Sequence, residues 1–267
     1  MRTGRRQTGF SLVELMVALI IGLFVLAGVG SVYITGKRSY QARDGLSLLQ
    51  ENGRIAVQMV ERVVARAGYP LFAEITPVID DKASLEKWAA PVGLPFSLDR
   101  TGLESDTLTV AWMPYAIGEE ANPDQLTESA SDCLGNRPDP NAIPERTLSA
   151  FYIKDQTLMC FGSNGTRPQP LVENVVAMHV EYGEDRTGDG FADQYVRLSD
   201  VQTWKKVVSI RIAFLVSSGE DVLERPADGP QTYLLAGERV TLDRPGDKRL
   251  YRVFSSTIPL RNRMPLL

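Results

Sequence analysis

The chain has 267 residues, a formal charge of −4 and a pI near 5.3, with 43% hydrophobic and 23% charged residues. This composition excludes a disordered or collagen-like chain and supplies apolar side chains for one sizeable domain plus an extra segment, or two small domains. The acidic balance carries no nucleic-acid footprint, and it deepens if Arg2, Arg5 and Arg6, which precede every acid, are removed.

Residues 1–9, MRTGRRQTG, form a short basic leader ending in Gly9. From Phe10 to Ile34 the sequence FSLVELMVALIIGLFVLAGVGSVYI holds one charge, Glu14. At 1.5 Å per residue a helix of ~25 residues crosses a hydrocarbon core of ~30 Å. The leading arginines predict a cytoplasmic N-terminus, with the rest of the chain exported to the periplasm. An ordinary secretory signal would have a shorter apolar run followed by a small-residue cleavage site. A plain signal anchor explains the length and the arginines but not Glu14. A carboxylate inside a membrane helix costs on the order of 3 kcal/mol and calls for a partner. If the chain is cut after Gly9, the new amine of Phe10 lies one helical turn from Glu14 on the same face. Glu14 can then neutralise that amine or the amine of an adjacent subunit in register.

Gly9-Phe10-Ser11-Leu12-Val13-Glu14-Leu15 and the apolar helix behind it resemble the N-terminal signal of type IV pilins and pseudopilins. The resemblance implies cleavage by a prepilin peptidase between Gly9 and Phe10, N-methylation of Phe10, and an assembly role for Glu14.

The helical pattern continues past the apolar run. Leu46, Leu49, Gly53, Ala56, Val60, Val63 and Ala67 step by three or four, and Gly68-Tyr69-Pro70 ends the series. One helix from Phe10 to about Ala67 is predicted, divided into an apolar part (10–34) and an amphipathic part (35–69) leading to a head of residues 70–267. Gly22, Gly28, Gly30 and Gly36 fit either simple tolerance in a membrane helix or local melting near Gly28 to Gly36 during assembly.

Residues 71–141 are irregular and rich in proline, interrupted by a strand at 107–113. Strands are predicted at 148–153 and 157–161, joined as a hairpin through Lys154-Asp155-Gln156, and then at 175–182, 194–198, 206–217, 233–235 and 250–255. A long helix followed by strands without a βαβ rhythm predicts an α+β fold, with the helix packed on a mainly antiparallel head.

Further patches extend the resemblance to the PilW family of type IV pilus minor pilins. They are Gln50-Glu51-Asn52-Gly53-Arg54, Arg66-Ala67-Gly68-Tyr69, Val207-Val208-Ser209-Ile210-Arg211-Ile212, and the tail from Phe254 to Arg263. What this implies is a non-enzymatic subunit that primes a pilus, sits near its tip and serves twitching motility and adhesion. The implied partners are other minor pilins, the major pilin, the prepilin peptidase, the inner-membrane assembly platform and a large tip-associated adhesin. The J-type pseudopilin of type II secretion has a similar plan. A membrane-tethered calcium- or ligand-binding module is the reading from another class.

Export places Cys133 and Cys160 in an oxidising compartment, where they are expected to form a disulfide. In the run 185–193, Asp185, Thr187, Asp189 and Asp193 carry oxygens at alternating positions and Gly190 permits a tight turn. This resembles a calcium loop in which Phe191 occupies the carbonyl position. Thr187 stands where an acid is usual, and Val196 where a bidentate Glu closes an EF-hand. The alternative is an acidic Gly-rich turn between strands. No cofactor is required by any motif, and there is no nucleophile elbow, Walker loop or zinc spacing. His179, the single histidine, reads as structural, and Trp88, Trp112 and Trp204 read as core.

Overall fold

The computed structural model describes residues 11–66, 103, 105–112, 131–137, 147–162 and 167–260. The cleavage point at Gly9 and Phe10, Trp88, most of the proline-rich stretch and the tail from Arg261 lie outside these residues. The chain divides into two compact units, Met1–Asp44 and Gly45–Leu267.

Helix α1 runs Leu12–Val64 without interruption. In the first unit almost every described residue is exposed, including Leu12, Leu19, Leu23, Phe24 and Tyr33. A Cβ placed on Gly22, Gly28, Gly30 or Gly36 would meet none of the described residues, so no contact among them requires glycine there. The helix is regular through all four.

In the second unit one stripe of α1 is buried: Gly45, Leu49, Gly53, Ala56, Val60, Val63 and Val64. It differs from the expected stripe at its N-terminal end, and Ala67 lies outside the described residues. Leu46 is half-buried, and Gly45 replaces it because Val222 packs where a side chain would stand. Gly53 is needed for the same reason, since the ring of Phe254 covers its Cα.

Among the described residues ten strands follow: β1 (Leu108–Trp112), β2 (Thr147–Lys154), β3 (Thr157–Gly162), β4 (Gln169–Glu173), β5 (Val175–Glu184), β6 (Gln194–Val196), β7 (Val207–Ser217), β8 (Gln231–Leu235), β9 (Glu238–Leu242) and β10 (Tyr251–Pro259). They form a sheet β1-β2-β3-β4, a sheet β10-β7-β5-β6 and a separate β8-β9 hairpin. All described pairs are antiparallel. The expected hairpin is β2–β3, in which Lys154 faces Thr157 across a turn with Asp155 and Gln156 both at positive φ.

The second sheet is covered on both faces because β5 and β7 alternate two apolar sets. Met178, Val180, Tyr182, Ile210, Ile212 and Phe214 share one core with Ala56, Val60 and Val64 of α1. Ala177, Ala213 and Leu215 face the other way and pack with Leu235, Val240 and Leu242 of the β8–β9 hairpin. The first sheet adds Val110, Trp112, Phe151 and Leu158 to the helix-side core. Trp112 and Trp204 are core residues, as expected, and Tyr182 meets Trp204 edge-on at 5.1 Å.

Candidate assembly site

Glu14 lies in the first turn of α1, where a carboxylate complements the unpaired N–H groups and the helix dipole. Downstream, the large apolar residues from Leu15 to Ile34 are all exposed among the described residues. Exposed apolar surface on this scale marks an interaction face or a membrane segment. The fold therefore presents a helix that satisfies its backbone internally and leaves its side chains for another environment.

Cys133 and Cys160 are disulfide-bonded, with their Cα atoms 6.5 Å apart. Cys160 is fully buried in β3, so the bond pins segment 131–137 to the first sheet. Two other contacts hold the same segment: the Cys133 N–H donates to Ser149 Oγ at 2.9 Å, and Arg66 donates to the Ser131 carbonyl at 3.0 Å.

The 185–193 run connects β5 to β6. Asp185 accepts from the N–H groups of Gly188 (2.5 Å) and Gly190 (2.8 Å). Asp193 accepts from those of Arg186 (2.6 Å) and Thr187 (3.0 Å), and Asp189 from that of Phe191 (2.9 Å). Gly188 and Gly190 adopt φ of 84° and 85°, which other residues adopt at a cost. Burial raises the Asp185 carboxyl, but the N–H groups of Gly190, Gly188 and Asp189 outweigh it and hold the group below its ordinary value. The Arg186 and Thr187 N–H groups lower Asp193 likewise. The acids thus organise the turn, and no cluster of three or more metal-ligating side chains converges among the described residues.

Several polar groups had no sequence signal. Glu184 is buried and accepts from Gln194 Nε2 (3.0 Å) and the Gln202 N–H (2.9 Å), which join β5 to β6 and to the 198–206 connection. Burial pushes its carboxyl up, but these bonds, with the Thr203 N–H and Arg186, hold it below the usual value. His179 is buried in β5, with Nδ1 3.3 Å from Asp106, whose carboxylate also accepts from the Val180 N–H at 2.8 Å. Asp247 accepts two bonds from the Arg249 guanidinium and one from Tyr251 Oη. Arg249 also reaches Gln156 in the β2–β3 turn at 3.2 Å, tying the two sheets together. Burial and the bond to Asp247 push Tyr251 up to about 12. Asp247 is held well below the carboxylate range, because the bonds from Arg249 and Tyr251 outweigh its burial.

In comparison with known proteins, residues 4–30 match the prokaryotic N-terminal methylation motif, and residues 146–262 match PilW, type IV pilus-assembly protein W. The chain carries a PilW domain behind a prepilin-type N-terminal methylation motif. The PilW match begins at the edge of β2 and runs past β10, so it takes in both sheets apart from β1. The methylation motif covers the leader and the start of α1. A type IV-like pilin from Thermus thermophilus aligns over 81% of this chain and 97% of its own, with 16% identity and a TM-score of 0.44. No curated protein matches in sequence. The methylation motif and the apolar helix fit a membrane-anchored pilin.

Proposed function

We propose that this chain is held in the inner membrane by residues 10–34, with its N-terminus cytoplasmic and its head periplasmic. From there it joins other minor pilins to prime a pilus and stays near the filament tip. The observation that carries this reading is a methylation motif leading into an apolar helix whose side chains are exposed among the described residues, followed by a PilW domain. Prepilin peptidase would cut between Gly9 and Phe10, and the Phe10 amine would then be methylated. Glu14 would pair with an amine of the adjacent subunit and set the axial register. The apolar helix would pass from lipid to a bundle of like helices, exchanging one apolar environment for another. Roles in twitching motility and adhesion, and contact with the assembly platform and a tip adhesin, belong to the same proposal, as does a structural rather than an enzymatic role.

Two variants test it. Gly9→Ala should block processing and leave a heavier species on a gel. Glu14→Ala should be cut normally but fail to enter filaments. If neither changes pilus number or motility, the minor-pilin reading is wrong. Complementation tests in a type II secretion strain and a piliated strain distinguish the J-type pseudopilin alternative: rescue of secretion alone would favour it.

A further inference from the structure

Next to the disulfide, α1 and segment 131–137 enclose a cleft of ≈ 350 Å³. Its apolar lining comes from Val63, Phe151 and Leu171, and three guanidinium groups border it: Arg62 from α1, Arg66 from the turn that follows it, and Arg137 from the disulfide-pinned segment. Arg62 lies in the last turn of α1, and Arg66 in the turn that follows it. Arg66 is positioned by its bond to the Ser131 carbonyl and stands 5.9 Å from the Trp112 ring centroid. Arg62 and Arg137 are exposed, and neither has an ion-pair partner among the described residues.

Among the described lining residues the acid is Asp132, which is engaged by its own turn. Its carboxylate accepts from the Leu134 N–H (2.9 Å), the Asn136 N–H (3.0 Å) and Asn136 Nδ2 (3.3 Å), so it serves its own turn. A position near the C-terminus of α1 accounts for Arg62 through the helix dipole, but not for Arg137, which reaches the same cleft from another segment. On a chain of net charge −4, this is a local concentration of the opposite sign.

We propose that this cleft docks an acidic peptide segment of a neighbouring pilus subunit, with adjacent carboxylates between Arg62, Arg66 and Arg137 and an apolar side chain against Val63, Phe151 and Leu171. Guanidinium groups bind carboxylates through paired, charge-assisted hydrogen bonds. The apolar lining and small volume suit a side chain or two of a peptide, whereas a nucleic-acid backbone would need a longer basic track. The disulfide is part of the device, because it holds the segment that carries Arg137. Naming the occupant a pilus subunit rests on the proposed function; the acidic specificity does not.

The test uses the processed full-length chain in non-ionic detergent and fluorescein-labelled hexaglutamate, read by anisotropy. Saturable binding that weakens with salt is expected, with a loss of at least about tenfold in Arg62→Glu/Arg137→Glu, equivalent to one charge-assisted pair. Arg62→Gln/Arg137→Gln should lose binding too while keeping the disulfide by mass and the native circular dichroism, and reduction of the disulfide should weaken binding in the parent chain. Hexaglutamate that fails to bind, or binds the variants equally well, overturns the proposal. So does preference for phosphatidylglycerol vesicles over hexaglutamate. In piliated cells, a benzoylphenylalanine photocrosslinker at Met59, on the cleft wall, should form an adduct that maps to an acidic stretch of another pilin and disappears in the charge-reversed variant. An adduct that is unchanged by charge reversal refutes the docking. If Gly9→Ala and Glu14→Ala leave piliation untouched while hexaglutamate still binds through the arginines, the pilin reading fails and the cleft stands.

Discussion

Gly53 gives the sharpest test of how the head is built on α1. In a helix, Gly→Ala normally gains about 1 kcal/mol through backbone entropy. Here the added Cβ would overlap the Phe254 ring at atoms Cγ, Cδ2 and Cε2. Because Cγ is among them, the ring must swing about its Cα–Cβ bond rather than merely tilt. Phe254 sits in β10 opposite Phe214 of β7, so the swing disturbs the strand that flanks the helix-side core. Overpacking of this kind costs about 1–3 kcal/mol, so Gly53→Ala should be net destabilising by ~0–2 kcal/mol once the helix gain of about 1 kcal/mol is included. In a Phe254→Ala background the overlap is gone, and the same substitution should stabilise by about 1 kcal/mol. The measurement is urea unfolding of the detergent-solubilised chain, followed by the fluorescence of its tryptophans. If Gly53→Ala stabilises the parent chain by the full helix gain, the packing of Phe254 over Gly53 is refuted.

Replacing Cys133 and Cys160 together by Ala should cost about 3.5 kcal/mol in the loop-entropy model, read as a lower urea midpoint; an unchanged midpoint would show that segment 131–137 is held by its hydrogen bonds alone. Glu184, Asp185, Asp193 and Asp247 all bind protons less readily folded than unfolded. Their contribution is therefore complete above the ordinary carboxylate range and is lost as pH falls towards their depressed folded values. Glu184→Gln should accordingly lose more stability at pH 7 than at pH 3, and an equal loss at both would refute the assignment. For the 185–193 turn, a calorimetric titration decides whether the acids take calcium as well as N–H groups. A heat in the millimolar range that is lost in Asp189→Ala is the expected signature of a calcium site with only three carboxylates, and no heat at that concentration removes calcium from the account.

The long helix was legible in the sequence because two different patterns, an apolar run and a three-four stripe, join without a proline between them. β5 and β7 were legible because β-branched and apolar residues dominate both, interrupted only by His179 and Glu181 within 175–182 and by Ser209 and Arg211 within 207–216. β4 was missed because Pro170 interrupts it. A proline is tolerated there because β4 is an edge strand, whose outer side pairs with nothing in the sheet. β9 was missed because its turn is Ala236-Gly237 rather than the usual Asn-Gly, although Ala236 still adopts a positive φ of 43°. For the site, the leader, Glu14 and the cysteine pair were readable from local residue types. The Arg62–Arg66–Arg137 cleft, the Glu184 network and the Asp247 knot join residues distant in sequence, and only the tertiary structure brings them together.

The two-sided burial of β5 and β7 also sorts the head into regions that accept change and regions that do not. Residues 175–182 and 207–216 have little room for a different side chain, and a new polar group on either face would meet a core. Residues 224–229 form an exposed bend with Gly229 at a φ of 84°, and no described strand pairs through it. A short epitope or dye-labelling tag placed between Arg225 and Asp228 should therefore leave the fold intact, because exposed bends of this kind accept insertions best. It would give a handle for following single subunits during assembly that touches neither the apolar helix nor the cleft.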